Sequence, residues 1–325
     1  MSFSGILRQI AQHPLIVAHP PVLLDVGASK EIHRVWKDIA SFSIGIAFDA
    51  DDRDFSSGES SNSGFKALYK VNKIVVAGNY GEAAPFYLTR SPYCSSLLEP
   101  NLSALSPYHY APLFEVQKEI SLNVIKLPEV VAQYQIPQID WFKTDSQGTD
   151  LRLFDSIGAE LQNKAIVVEM EPGIVDAYKG EDKVSDCLHY FEKRADFCLV
   201  AMKILGPLRM RSDRFERIFT STFNRKLASG FLPKVPGWAE MAFMNTLEGP
   251  QSLRSFLLGW LFATILKRHD MAHGYAIEGK RQYPNESLLT KMELYSTSKL
   301  KASLWSFTVL FGLAGFLLGK LAGRK

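Results

Sequence analysis

Val22-Leu23-Leu24-Asp25-Val26-Gly27-Ala28 is a short apolar run with one acid near its end and a glycine directly behind it. A run of this length, closed by a turn residue, predicts a strand buried on both faces. The glycine lets the backbone turn sharply and approach a ligand closely. The following text repeats the theme. Glu31 to Ile39 sets Ile32, Val35, Trp36 and Ile39 at helical spacing and predicts a helix. Ile44 to Phe48 predicts a second strand that ends in Asp49, and a polar loop, Asp51 to Gly64, carries SSGESSNSG. Phe65 to Val71 reads as a helix and Lys73 to Ala77 as a third strand; Asp140 to Lys143 and Ala165 to Met170 read as later strands. Strands alternating with helices imply an α/β fold, a mostly parallel sheet with helices on both faces. Ligands of such sheets sit outside the carboxyl ends of the strands, where the strand order reverses.

The chain has 325 residues, 46% apolar and 22% charged, which excludes wholesale disorder, a collagen-like fibre and a polytopic membrane protein. Its net charge of +3 hides a split. Residues 251–325 hold 11 Lys and Arg against 4 acids, whereas the first 250 residues hold 26 against 30. Cys94, Cys187 and Cys198 have no metal-ligand or disulfide-framework spacing, so a reducing, cytoplasmic setting is expected. MSFSGILRQIAQHP reads as no secretory signal. Ser229 to Trp238 reads as a Gly- and Pro-containing linker, and the text beyond it reads as helical. The expected division is a body over 1–230, a helical extension over 231–300 and a hydrophobic tail over 301–325.

Two strand ends form the first constellation. Asp25 and Gly27 stand at one, and Asp49 follows 24 residues after Asp25 at the next. In nucleotide-binding sheets an acid at about that distance, roughly 20 residues past the glycine turn, accepts hydrogen bonds from ribose hydroxyls. A GxGxxG fingerprint is absent, which favours an adenosyl ligand over NAD. Lys143-Thr144-Asp145-Ser146-Gln147-Gly148 follows a later strand, with Asp150 at the start of the next helix. Glu169 and Glu171 alternate on the last strand and are expected to share a face.

Five blocks, in order, resemble the FkbM-type S-adenosylmethionine-dependent methyltransferases. They are LLDVGAS (23–29), IAFDAD (46–51), YLTRSPYCSSLLEPN (87–101), IDWFKTDSQGTDLRLFDSIG (139–158) and IVVEMEPGIVDAYKG (166–180). The resemblance implies a class I methyltransferase, Rossmann-like fold and S-adenosylmethionine as cofactor. By it Asp25, Gly27, Ala28 and Ser29 lie under the methionine moiety. Asp49, with Ala50 beside it, holds the ribose, and Ala77 to Asn79 lie near the adenine. The 95–101 loop shapes the site from above. Asp145 is the implied hydrogen-bonding partner or base for an acceptor hydroxyl, and Lys143 pairs with it or tunes a neighbouring pKa. The implied reaction is O-methylation of a sugar, glycolipid or secondary-metabolite acceptor.

The chain departs from that pattern in two places. Ser29-Lys30-Glu31 stands where a further glycine is usual, and Gln147 stands where an acid is frequent. A degenerate, non-catalytic relative acting as a membrane-associated binding or scaffolding module is the alternative reading. His109 reads as a base, a substrate contact or a packed loop histidine. His269 and His273 lack an HExxH context, so no metal is expected. The stripe Arg209, Arg211, Arg214, Arg217 is diluted by Asp213 and Glu216, which argues for a solvated helix face and against nucleic acid. Residues 302–319, ASLWSFTVLFGLAGFLLG, carry no charge. As a helix they span ~27 Å at ~1.5 Å per residue, marginal for a hydrocarbon core of about 30 Å. Lysines flank the run and make it a candidate membrane anchor. Oligomeric state is not legible from these features.

Overall fold

The computed structural model describes residues 2–28, 33–48, 58–59, 64–304 and 312. The chain divides into two compact units, Pro20–Thr246, and Met1–His19 together with Leu247–Lys325.

The second of these is helical. Its described helices are Phe3–Ala11, Pro14–Ala18, Leu253–Ile265, His269–Gln282 and Ser287–Leu304. Ser2 caps the first by accepting from the Gly5 N–H at 3.3 Å. Ile6 and Ile10 then fall on one face and are buried. The Leu253–Ile265 helix is apolar nearly all round and is correspondingly enclosed from Phe256 to Thr264. Trp260 satisfies its indole N–H there on Ser296 Oγ at 2.9 Å and Met292 O at 3.1 Å. Among the described residues no helix is long and apolar enough to cross a membrane. Of the 302–319 run, only Ala302 to Leu304 and Gly312 are described, so the anchor reading lies outside the described residues.

The unit Pro20–Thr246 contains all the strands: β1 (Val22–Val26), β2 (Ile44–Phe48), β3 (Gly58–Glu59), β4 (Ala67–Val71), β5 (Ile74–Val75), β6 (Ala83–Thr89), β7 (Val116–Ile125), β8 (Trp141–Thr144), β9 (Val167–Met170), β10 (Phe197–Leu205) and β11 (Trp238–Asn245). The main sheet runs β10-β11-β9-β8-β1-β2-β4, with the two-residue β3 added at the β4 edge. From β4 through β2, β1, β8 and β9 every pairing is parallel. β11 is antiparallel to both β9 and β10. A separate three-stranded piece, β5-β7-β6, is inserted between β4 and β8.

Period-two alternation sorts the side chains of the parallel strands. Val22, Leu24 and Val26 of β1 share a core with Ile46, Phe48, Phe142, Val168 and Met170. Helix residues Leu153, Phe154 and Phe191 close it, and Phe191 stacks on Phe243 at 3.8 Å. The opposite face carries Leu23 and Asp25 of β1, with Trp141 and Lys143 beside them in register. Trp36 meets Trp141 edge-on there at 5.9 Å. The parallel α/β architecture therefore agrees with the alternation in the sequence.

Several local expectations do not hold. Phe65 to Val71 is not a helix; Ala67–Val71 is the third strand of the main sheet. Leu68 packs with Ala28 and Ala47, whereas Tyr69 and Val71 pack into the main core, which is an alternation of two rather than a helical period. The Lys73 to Ala77 strand shrinks to Ile74–Val75 and pairs with β7, outside the main sheet. Within Glu31 to Ile39 the described part holds a 3₁₀ turn at Arg34–Trp36, not an α-helix. The sheet-bearing unit does not end near residue 230, because β11 lies beyond the linker and pairs on both edges. Nor does it start at residue 1, since Phe3–Ala11 belongs with the C-terminal helices.

Asp140 ties three strands at their starting ends. Its Oδ2 accepts from Val22 N at 2.8 Å, its own N–H donates to Val22 O, and its carbonyl accepts from Ile166 and Val167. The group is fully buried. Asp140→Ala strands the Val22 N–H, and is expected to cost about 1–3 kcal/mol, read as a lower denaturation midpoint in urea. An unchanged midpoint would show that the β1 entry does not depend on this carboxylate.

Candidate active site

The chain leaves β1, builds β2 and β4 on one side, and returns to β8 on the other side of β1. The strand order reverses between β1 and β8, and their carboxyl ends make the crevice. Gly27 occupies its floor with φ +84°. A Cβ at this position would lie 2.2 Å from the Asp145 carbonyl oxygen. Both the positive φ and that contact exclude any side chain. The Asp145 N–H donates to Val26 O at 2.9 Å, and the N–H groups of Gly27 and Ala28 donate to Phe48 O. Three strand exits, after β1, β2 and β8, are thereby bonded to one another.

Asp150 holds the next layer. Its Oδ1 accepts from Thr144 Oγ1 at 3.0 Å, Ser146 N at 2.8 Å and Ser146 Oγ, and its Oδ2 accepts from Glu171 N at 2.7 Å. One buried carboxylate thus couples the exits of β8 and β9. Between them Gln147 adopts φ +59°, a left-handed conformation uncommon for a residue with a side chain. Its amide is used at both ends: Nε2 donates to Asp145 Oδ1, and Oε1 accepts from Tyr178 OH at 2.9 Å. Its carbonyl accepts from Ser96 Oγ at 2.8 Å. Tyr178, Gln147 and Asp145 form a chain that aims one carboxylate.

Asp145 and Gln147 stand between two cavities. The smaller, about 70 Å³, is bounded by Gly27, Phe48, Lys73, Val75, Ser95 and Leu97. The larger, about 370 Å³, is bounded by Tyr93, Tyr110, Phe114, Glu171, Tyr178 and Trp238, among others. No Lys, Arg or His lines the larger one among the described residues.

The electrostatics follow from burial and crowding of acids. Burial pushes the Asp145 carboxyl up to about 6 against the pull of Lys143, with Asp150 adding repulsion. Burial and the neighbouring Asp145 and Asp150 push Glu171 up to about 8. Burial also pushes Glu169 up to about 7, although Trp141 donates to it at 2.8 Å. Burial works to depress Lys143, but Asp25, Asp145 and Glu169 outweigh it and raise its pKa. His33 is held below its ordinary value by burial and by Lys143.

Gly27 and Asp145 both line the smaller cavity. Lys143 does not pair with Asp145: its Nζ bonds Asp25 Oδ1 at 3.1 Å, because the two residues are register partners on adjacent strands. Asp25 is buried in that pair, also accepts from the His33 N–H at 3.2 Å, and lines neither of these two cavities. Ala28 is buried against Ala47 and Leu68. Asn79 is exposed and Ala77 packs beside the core. Lys73 and Val75 line the cavity instead of that pair, because the third strand ends at Val71. Ser29, Asp49 and Ala50 lie outside the described residues. Glu169 and Glu171 are not a pair: Glu169 faces Trp141 and His33, whereas Glu171 follows the last strand residue and lines the larger cavity. Within the 95–101 loop, Ser95 and Leu97 line the smaller cavity and Ser96 Oγ donates to Gln147 O. His109 packs in its loop, where Nδ1 accepts from Leu208 N at 3.2 Å and the ring lies 5.1 Å from Phe215. Tyr178, Tyr110 and Trp238 carried no sequence signal of their own, although Tyr178 falls within the last block.

Comparison with family models, with curated proteins and with solved structures finds nothing that matches this chain.

Glu171 provides a pH test. Its folded-state pKa, about 8, lies above the ordinary carboxylate value. Its stabilising contribution is therefore complete below about 4.5, and is lost as pH rises through 8. Glu171→Gln mimics the protonated form, so its melting temperature should match wild type near pH 5 and exceed it near pH 8. A constant difference across that range would contradict the assignment.

Proposed function

We propose that this chain is an S-adenosylmethionine-dependent O-methyltransferase, of the FkbM type that its five blocks resemble. The observation that carries the reading is a single wall: Asp145, oriented by Gln147 and Tyr178, separates a space at the Gly27 turn from a larger aromatic one. A two-substrate transfer needs both reactants held side by side and in line, and both spaces meet at Asp145 and Gln147. The strand order supports the reading as well. Counted along the main sheet it is 3-2-1-4-5-7-6 with the seventh strand reversed, the arrangement a class I methyltransferase fold implies.

The residues present suit the cofactor at its sulfonium end. Gly27 leaves the backbone bare, and the acid-rich surroundings favour a cation. The described wall accommodates one end of such a molecule, not its full length. When bound, the cofactor supplies an electrophilic methyl group. Asp145 Oδ accepts the acceptor's hydroxyl proton, a role for which a pKa of about 6 leaves it ionised at neutral pH. Gln147 donates to Asp145 and keeps it aimed, and Tyr178 holds Gln147. Tyr93, Tyr110 and Trp238 offer flat apolar faces, while ionised Asp145 offers hydrogen-bond acceptors and protonated Glu171 both a donor and an acceptor. That lining suits a sugar or other polyhydroxylated acceptor, and opposes a phosphate or carboxylate at the reacting end.

A catalytically degenerate binding module draws on one observation, the absorption of Asp25 into its pair with Lys143. Calorimetric titration with S-adenosylhomocysteine separates the readings: the enzyme binds it, and no heat at millimolar ligand would remove the methyltransferase reading. Given binding, Asp145→Asn should leave affinity within a few-fold and lower kcat by about 10²–10⁴. Wild-type kcat should fall as pH drops through about 6, where the carboxylate takes up its proton. A variant with full turnover would exclude Asp145 as the base.

A further inference from the structure

The chain between β10 and β11 forms two helices, Ser212–Ile218 and Thr222–Phe231. Ser221 caps the second by accepting from Asn224 N at 3.2 Å. Their inner faces close on a small cluster of Leu208, Phe215 and Ala228, with Met210 and Phe219 against it. The outer face is not covered. Phe223, Leu227 and Phe231 recur every fourth residue and share one stripe. They are 69%, 41% and 84% exposed, and Ile218 of the preceding helix is 59% exposed. Single exposed apolar residues are ordinary, but an aligned stripe ending in two open phenylalanines marks a contact surface.

The surrounding charge says what the contact is. Residues 209–234 hold seven Lys and Arg against two acids. Arg211 is paired with Asp213, and the Arg225 side chain donates to Phe219 O at 2.8 Å and lies 4.0 Å from Glu216. Arg209, Arg214, Arg217, Lys226 and Lys234 form no ion pair among the described residues. Lys226 flanks the stripe directly, and Lys234 follows it.

We propose that this helix pair docks on an anionic lipid bilayer, with Phe223, Leu227 and Phe231 in the headgroup region and the unpaired basic side chains above the lipid phosphates. A ten-residue helix is ~15 Å long, about half of a ~30 Å hydrocarbon core. It therefore lies in the interface plane and does not span. A nucleic-acid duplex would use the basic residues and leave the phenylalanine stripe idle, whereas a bilayer uses both. This surface belongs to a different stretch of the chain from the 302–319 run. It also bears on the acceptor. Gly237 and Trp238 line the larger cavity and follow Phe231 by six and seven residues, which with the docking points to an acceptor hydroxyl carried on a lipid. The last step rests on the methyl-transfer reading; the docking itself does not.

The test is co-sedimentation of the full-length chain with phosphatidylcholine vesicles, with and without phosphatidylserine. Binding is expected only with the anionic lipid and should weaken with added salt. Phe223→Ser/Phe231→Ser and Lys226→Glu/Lys234→Glu should each lower the partition coefficient by about tenfold or more. Their melting curves should stay as in wild type, since the side chains are exposed. Wild-type partitioning by both variants, as binding through 302–319 would give, overturns the proposal. So does equal binding to neutral vesicles, or no binding to anionic ones. None of these readouts involves methyl transfer, so failure here leaves the proposed activity untouched.

Discussion

The Gly27 α-carbon lies against the Asp145 carbonyl, and no side chain fits between them. This contact is where the first and fourth parallel strands of the main sheet finish. It allows the Asp145 N–H to reach Val26 O and brings the Asp145 side chain over the crevice. A larger residue at 27 would separate the two strand exits, and the loop through Gln147 would lose its footing. Asp150 then extends the same connection to β9 by accepting from both Ser146 and Glu171. The two cavities exist because the wall between them is anchored at both ends.

Charge is placed differently on the two sides of that wall. Below it, on a sheet face, Asp25 and Lys143 neutralise each other, with Glu169 one strand further along. A buried pair of this kind is costly to break, since removal of one partner leaves an uncompensated charge. It is thus structural, even though its residues belong to the blocks that suggested catalysis. At the wall itself, no Lys, Arg or His among the described residues lines the larger cavity beside Asp145 and Glu171. Burial raises both, with Asp150 repelling each of them and Asp145 repelling Glu171, which leaves Glu171 largely protonated at neutral pH and Asp145 largely ionised. Neighbouring carboxyls are driven apart in pKa without any sequence feature announcing it.

Much of the framework was legible in one dimension. Val22–Val26 and Ile44–Phe48 were readable to the residue, because buried parallel strands are continuous apolar runs bounded by turns. Ala67–Val71 was not, because a short run with apolar residues three apart fits a helix as well as a strand. Only its pairing with β2 settles the choice. β11 was hidden for a different reason, coming after a Gly- and Pro-containing stretch that looked like a boundary. At the site, Gly27 and Asp145 were legible from their position at strand ends. The partner of Lys143 was not, since strand register, not sequence distance, decided between Asp25 and Asp145. Gln147 looked like a departure from a pattern, and its positive φ and double hydrogen bond make it the residue that aims Asp145.

The sequence by itself determined the alternation of strands and helices, the glycine at the first strand exit and the acid after the fourth parallel strand. These are local: apolar periodicity and turn chemistry act between near neighbours in the chain. The tertiary structure alone decided which acid meets which lysine, that Tyr178 reaches Gln147 from 31 residues away, and that the N-terminal helix belongs with the last ones. Those outcomes depend on register and on burial, and both are properties of surfaces brought together from distant parts of the chain.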